Sequence, residues 1–313
     1  MRFPSLTLRM FPLCAAAVLS PALMNSGFAL ETGLELGQSS FKFLKLSLSP
    51  RSVAMGGAGA GLVEGAGEAE LNPAAAGRGG GALVLGQEYP PQEFGTTASH
   101  LSWSLPWGDK RVTLNTRYLG FDKIPGWDAT GASRTSYDAF TLKVQAGLAG
   151  QALGFAYGVS AAYAQNNIAE ATYSAALVNA GLWRDLGHGL SAGAAVMNAD
   201  FWTASSKPGG EKPLPPVIFQ AGLGYVRPLR PGMRVAAALD ARKVNDEDLV
   251  FPAGAELMVM DALFIRAGYP FGDSDNGLGL GFGLKWTRFG FNYAYKGHSE
   301  LSGGHSWTLE IRD

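Results

Sequence analysis

From Gly79 to the end of the chain, bulky and small side chains take turns. Residues 277–286 read GLGLGFGLKW: Leu278, Leu280, Phe282, Leu284 and Trp286 fall on one face, and Gly279, Gly281, Gly283 and Lys285 on the other. Successive side chains of a strand point to opposite faces, so this period of two describes strands set between two unlike surroundings. FGFNYAYK repeats it, with Phe289, Phe291, Tyr293 and Tyr295 against Gly290, Asn292, Ala294 and Lys296. LGFAYGVSAAY sets Leu153, Phe155, Tyr157, Val159 and Tyr163 on one side, and the final HSWTLEIRD does the same with Trp307, Leu309 and Ile311. No segment beyond Gly79 shows a convincing helical period.

Fourteen such segments can be read, at about residues 79–89, 94–105, 111–120, 137–148, 152–163, 173–184, 190–199, 216–227, 233–242, 250–260, 263–271, 277–286, 289–297 and 304–312. The count is even, and each run approaches the 9–11 residues a tilted strand needs to cross a bilayer. Connections at 106–110, 149–152, 185–189, 228–232, 260–262 and 287–288 are tight. Those between them, at 121–136, 164–171, 200–215, 243–249, 272–276 and 297–304, are mostly longer. Outer-membrane barrels have short periplasmic turns and longer outside loops, and a soluble sandwich has no reason to sort its loops this way. Composition agrees. Charged residues are 16% of the chain and glycines 43 of 313, against about 25% and about 7% in ordinary domains. Mean hydropathy is only +0.05, which excludes a bundle of long apolar helices. The expectation is an all-β fold: a closed antiparallel transmembrane barrel of about 14 strands, spanning residues 79–313.

The two faces then meet different partners. Leu, Phe, Tyr, Trp and Val face outer-membrane lipid. Gly, Ser and Ala face the lumen, with sparse charges at Arg117, Lys143, Arg234, Asp240, Arg242, Glu256, Arg266, Lys285, Lys296, Glu310 and Arg312. These charges either pair with one another in a wet lumen or bind an acidic head group; a polar lumen is general in such barrels, which favours pairing. Net charge is −1, so nothing draws the chain to nucleic acid.

Upstream, Arg2 and Arg9, an apolar run over 10–23 and the small-x-small triplet Gly27-Phe28-Ala29 read as a signal peptide, residues 1–29, for export to the outer membrane of a Gram-negative cell. Pro12 and Pro21 break the run, which falls short of the ~20 residues of a spanning helix. Cys14, the single cysteine, lies inside it, and Leu13 before it argues against a lipid anchor. The mature chain therefore has no disulfide framework, thiolate metal site or thiol nucleophile. His100, His188, His298 and His305 have no spaced partners for zinc. Residues 273–277, DSDNG, resemble only the start of a calcium loop and read better as a hairpin turn at Asn276-Gly277. No Gly-x-Ser-x-Gly elbow and no phosphate-binding loop appear. No enzyme, metal or cofactor is expected.

Residues 49–77, SPRSVAMGGAGAGLVEGAGEAELNPAAAG, carry local structure. Ser49-Pro50 starts a helix that Gly56-Gly57 ends; Asn72-Pro73 starts an alanine turn that Gly77 ends. A glycine-lined lumen leaves room for such an element, so residues 30–78 are read as a plug or hatch rather than a linker. This stretch also resembles the N-terminal signature of the PorV/PorQ family, matching at Arg51, Met55, Gly56, Gly57, Ala58, Asn72, Pro73 and Ala74, with AAVMNADFW, PLPPVIFQAGLGY and PAGAELMVMDALFIRAGY similar to later family segments. It departs from the family in an acidic patch thinned to Glu64, Glu68 and Glu70, and in Leu71 where an aromatic is common. The resemblance implies kinship with FadL-like long-chain fatty-acid transporters, fourteen-stranded barrels with a hatch containing Asn-Pro-Ala. It implies first a type IX secretion accessory, binding a secreted cargo protein or translocon component through loops 121–136 and 200–215. Second stands an uptake channel for a hydrophobic small molecule, which calls for an apolar lumen pocket or a lateral opening, with Gly120 or Pro125 as candidate kinks in the third strand. Third stands a structural barrel without transport.

Overall fold

The computed structural model describes residues 39–47, 49–91, 95–127, 130–131, 133–207 and 212–313. The expected signal peptide and residues 30–38 lie outside them. The strands are β1 (Ala82–Tyr89), β2 (Thr96–Trp107), β3 (Lys110–Phe121), β4 (Ile124–Trp127), β5 (Ser133–Tyr137), β6 (Ala139–Ala152), β7 (Phe155–Ile168) and β8 (Ala171–Gly187). There follow β9 (Leu190–Ser205), β10 (Ile218–Arg230), β11 (Met233–Val244), β12 (Phe251–Val259), β13 (Leu263–Phe271), β14 (Asn276–Trp286), β15 (Phe289–His298) and β16 (Gly304–Arg312). Fourteen of them pair in order into one closed antiparallel barrel, and β4 and β5 form a separate two-stranded hairpin. Closure is made by β1 and β16, from Ala82 opposite Arg312 to Tyr89 opposite His305. No strand edge of the barrel is left open, which is the condition for strands to cross a bilayer.

The alternation explains the closure. Leu278, Leu280, Phe282 and Leu284 stand uncovered on the outside, while Gly281 and Gly283 turn inward. Polar residues of the other parity, among them Ser102, Asn115, Gln145, Asn179 and Gln220, are buried inside. One rim consists of tight turns, several with left-handed residues that are not glycine: Leu153, His188, Met260, Asp261 and Thr287. Positive φ matches the twist of two-residue hairpins, so the turns work without an Asn-Gly signal. We call this rim the turn end and the other the loop end.

Three expected connections differ. Residues 164–171 are not a loop: β7 and β8 run through them to a turn at Ala169-Glu170, with Ala169 left-handed. Within 121–136 the chain forms the β4–β5 hairpin. Asn276-Gly277 belongs to β14, and the turn precedes it at Gly272, where φ is +88°. Strand lengths are uneven. β8 and β9 have 17 and 16 residues, while β12, β13 and β16 have 9 each, and the excess rises at the loop end.

The third strand is not kinked: Gly120 pairs normally with Thr97 and Phe140, and Pro125 lies in the hairpin. The ladder breaks instead between β8 and β9, where the register shifts near Val178 and Ala180 and Asn198 is left-handed. Asn179 repairs the gap: its Oδ1 accepts from the Asn198 amide at 2.7 Å, and its Nδ2 donates to Ser160 Oγ at 2.9 Å.

Candidate functional site

Inside the barrel lies the chain's own N-terminal part. The helix Pro50–Ala54 is capped by Ser49, which accepts from the Ser52 amide, and Gly56 and Gly57 end it with φ of +70° and +91°. Asn72 caps a 3-10 turn, Pro73–Arg78, accepting from Ala74 N; the turn runs one residue past Gly77. Met55 packs with Ala58, Leu62, Ala236 and Ala238. Wall glycines admit this packing. A Cβ on Gly268 would lie 2.0 Å from the Met55 carbonyl carbon, and one on Gly158 would lie 2.2 Å from Pro73 O. The small inward face seen in the sequence is thus contact surface for backbone rather than open lumen.

Charge fixes the same element. Arg51 reaches Glu256 of β12 at 2.9 Å and Glu68 of its own segment at 3.2 Å, and Arg266 of β13 meets Glu256 at 2.7 Å. Burial alone would lower the Arg51 guanidinium's pKa, but Glu68 and Glu256 hold it above its ordinary value. Asp240 of β11 accepts from the Gly59 and Ala60 amides at 2.9 Å each and from Gln220 Nε2 at 2.6 Å. Asn72 Nδ2 donates to Leu182 O at 3.1 Å. Glu70 lies 3.6 Å from Lys143. Burial raises the Glu70 carboxyl, yet Lys143, Arg117 and His100 outweigh it and bring it below the usual range.

Towards the loop end, residues 39–47 form a strap. Phe41, Phe43 and Leu44 are buried against an apolar patch of the wall made by Ala98, Leu119, Ala162, Ala164, Ala175 and Leu177. Phe41 takes a left-handed φ of 54°, a costly conformation for a bulky residue. Bonds along the strap hold it there. Arg117 donates to Phe43 O at 2.7 Å, Arg242 to Lys45 O at 3.4 Å, and Lys45 meets Asp246 of the β11–β12 connection at 2.7 Å.

The expected lumen charges therefore divide. Arg117, Lys143, Asp240, Arg242, Glu256 and Arg266 all join contacts between the wall and the N-terminal part. Arg234 and Lys285 have the inward parity but stand exposed near the turn end. Arg234 borders a cavity of about 260 Å³ with Arg51, Glu64, Arg78 and Trp183. The strap went unread in the sequence. Its signal is Phe41-Lys-Phe43-Leu44, a dense apolar cluster ahead of the glycine-rich stretch.

No protein-family model matches the chain, and no curated protein matches it by sequence. Solved structures do match. A TodX deltaS2S3 mutant, titled a monoaromatic hydrocarbon channel, aligns with TM-score 0.56 and 13% identity, over 84% of this chain and 98% of its own. The Pseudomonas putida toluene transporter TodX aligns at 0.53 and 14%, over 85% and 97%. A Pseudomonas aeruginosa FadL homologue aligns at 0.50 and 10%, over 85% and 98%. The barrel has the fold of FadL-like outer-membrane channels. These neighbours are channels rather than enzymes, and at such identities the likeness concerns fold alone. These three structures do not carry the PorV/PorQ resemblance or a secretion role further.

Proposed function

We propose that the chain is a FadL-like channel of the Gram-negative outer membrane that takes up hydrophobic small molecules. The turn end faces the periplasm, the loop end faces outside, and the N-terminal segment expected over 30–78 serves as the hatch, its described core being residues 49–78. Export requires the signal read in residues 1–29, and the hatch and barrel meet near residues 78–79. Arg51, Met55, Gly56, Gly57, Asn72, Pro73 and Ala74 seat the hatch. Within the lumen, Arg117, Lys143, Asp240, Arg242, Glu256 and Arg266 hold the N-terminal part in place.

One observation carries this reading: an apolar patch inside a polar lumen, filled by two phenyl rings and a leucine of the chain itself. A surface that accepts a phenyl side chain has the size and polarity to accept a small aromatic or aliphatic solute. The neighbours titled as toluene and monoaromatic channels favour the same substrate class. No observation favours cargo docking in the same way, so the secretion reading falls behind.

The test is initial uptake of radiolabelled toluene and decanoate by cells with and without the protein. Ala164→Trp, which overfills the patch, should cut uptake of at least one solute about tenfold while the barrel still migrates as folded in heat-modifiability gels. Equal uptake with and without the protein would sink the reading.

A further inference from the structure

The hatch is fastened on one side only. Its bonds go to β6 and to β8–β12: Gln151 donates to Gly77 O, Trp183 and Ser191 both donate to Gly61 O, Gln220 donates to Gly57 O, and Asp240 and Glu256 take the bonds described above. Among the described residues, none from 49 to 80 forms a hydrogen bond or ion pair with β1, β2, β3 or β16. The contact on that side is of methyl groups, Ala66 against Ala82 and Val84.

A second observation falls on the same wall. The inward residues of β2 and β3 are small and polar, and they pair across the ladder: Ser102 opposite Asn115, and Ser104 opposite Thr113. All four are at least nine-tenths buried, Asn115 and Ser104 to 1% exposure. Yet the Ser104 hydroxyl and both amide atoms of Asn115 have no hydrogen-bond partner, and neither does the Ser306 hydroxyl of β16. Buried polar groups without partners are rare in native folds, and such groups hold water or a polar ligand. Here they line the untethered face, running from His100 towards the turn end.

We propose that the seam between the hatch and β16, β1, β2 and β3 is a second, hydrophilic route. It passes water and small uncharged hydrogen-bonding solutes of glycerol or urea size, independently of hydrophobic uptake. The hatch can part from this wall without breaking any of its hydrogen bonds or ion pairs, against only the longer-range attraction of Glu70 for Arg117 and His100. Asn115, Ser104 and Ser102 then supply donors and acceptors to a file of polar molecules. Arg117 and Arg111 bracket this stretch of β3, and Arg111 Nη1 is itself buried without a partner, so cations have no such passage.

The full-length protein in liposomes tests this by light scattering in a glycerol or urea gradient. Permeability should exceed that of protein-free liposomes, and Asn115→Leu should reduce the increment at least fivefold. Wild-type vesicles no more permeable than protein-free ones would overturn the proposal, as would an unchanged Asn115→Leu. Because Asn115→Leu can fail to fold, a second readout uses single cysteines and iodoacetamide, a small uncharged reagent. Ser104→Cys on the untethered wall should react at least tenfold faster than Ala238→Cys on the tethered wall, although Ser104 is the more deeply buried of the two. Equal rates would overturn the proposal whatever the leucine variant does.

Discussion

Glu256 joins the hatch helix to the wall. It lies between Arg51 and Arg266, and all three are held inside protein. Removing one member of a buried ionic group leaves the others uncompensated, at about 3–5 kcal/mol. We expect Glu256→Gln to lose roughly that much in guanidinium unfolding from lipid vesicles, and Arg51→Met in the same background to recover part of it. A result near zero for Glu256→Gln would mean that water already screens the group. Gly268 gives a steric counterpart. An added Cβ would sit 2.0 Å from Met55 backbone, so Gly268→Ala should displace the helix Pro50–Ala54, seen as faster proteolysis within residues 50–60. The helix around Arg51 and Met55 was legible from its caps, whereas the two residues themselves were picked out only by the family resemblance. Their partners were not, because parity tells that Glu256 faces inward but not what it faces.

The strap is the element whose attachment depends on pH. Burial would raise the Asp246 carboxyl, but hydrogen bonds from Lys45 and the Ser39 amide hold it below its ordinary 3.8. A depressed carboxyl stabilises the bound form fully above its free value and loses that contribution as pH falls through the lower one. A spin label near Phe41 should therefore stay immobile from pH 8 to 5 and loosen only below about pH 4. In Asp246→Asn it should be mobile throughout. If the wild-type label loosens near pH 6, some group other than Asp246 governs the strap. The strap escaped the sequence reading because four residues of 3-10 turn, Lys42–Lys45, are too short to show a period. The same limit hid β4 and β5, whereas strands such as β13 and β16, with steady alternation, were found to the residue.

At the scale of the whole molecule, closure decides folding. Deleting residues 304–313 would leave β1 and β15 with open edges in hydrocarbon, where each unsatisfied backbone group costs several kcal/mol. We expect no folded band in heat-modifiability gels and no membrane insertion. Deleting 39–47 should preserve both, since that part closes nothing. The unequal strands have a consequence for traffic. With a rise of about 3.4 Å per residue and a tilt near 40°, β8 and β9 stand roughly 20 Å taller than β12 and β13. In the proposed orientation the loop end would be a hooded spout: solutes would come in over the low lip, and the palisade behind it is the part an antibody or a phage would meet first.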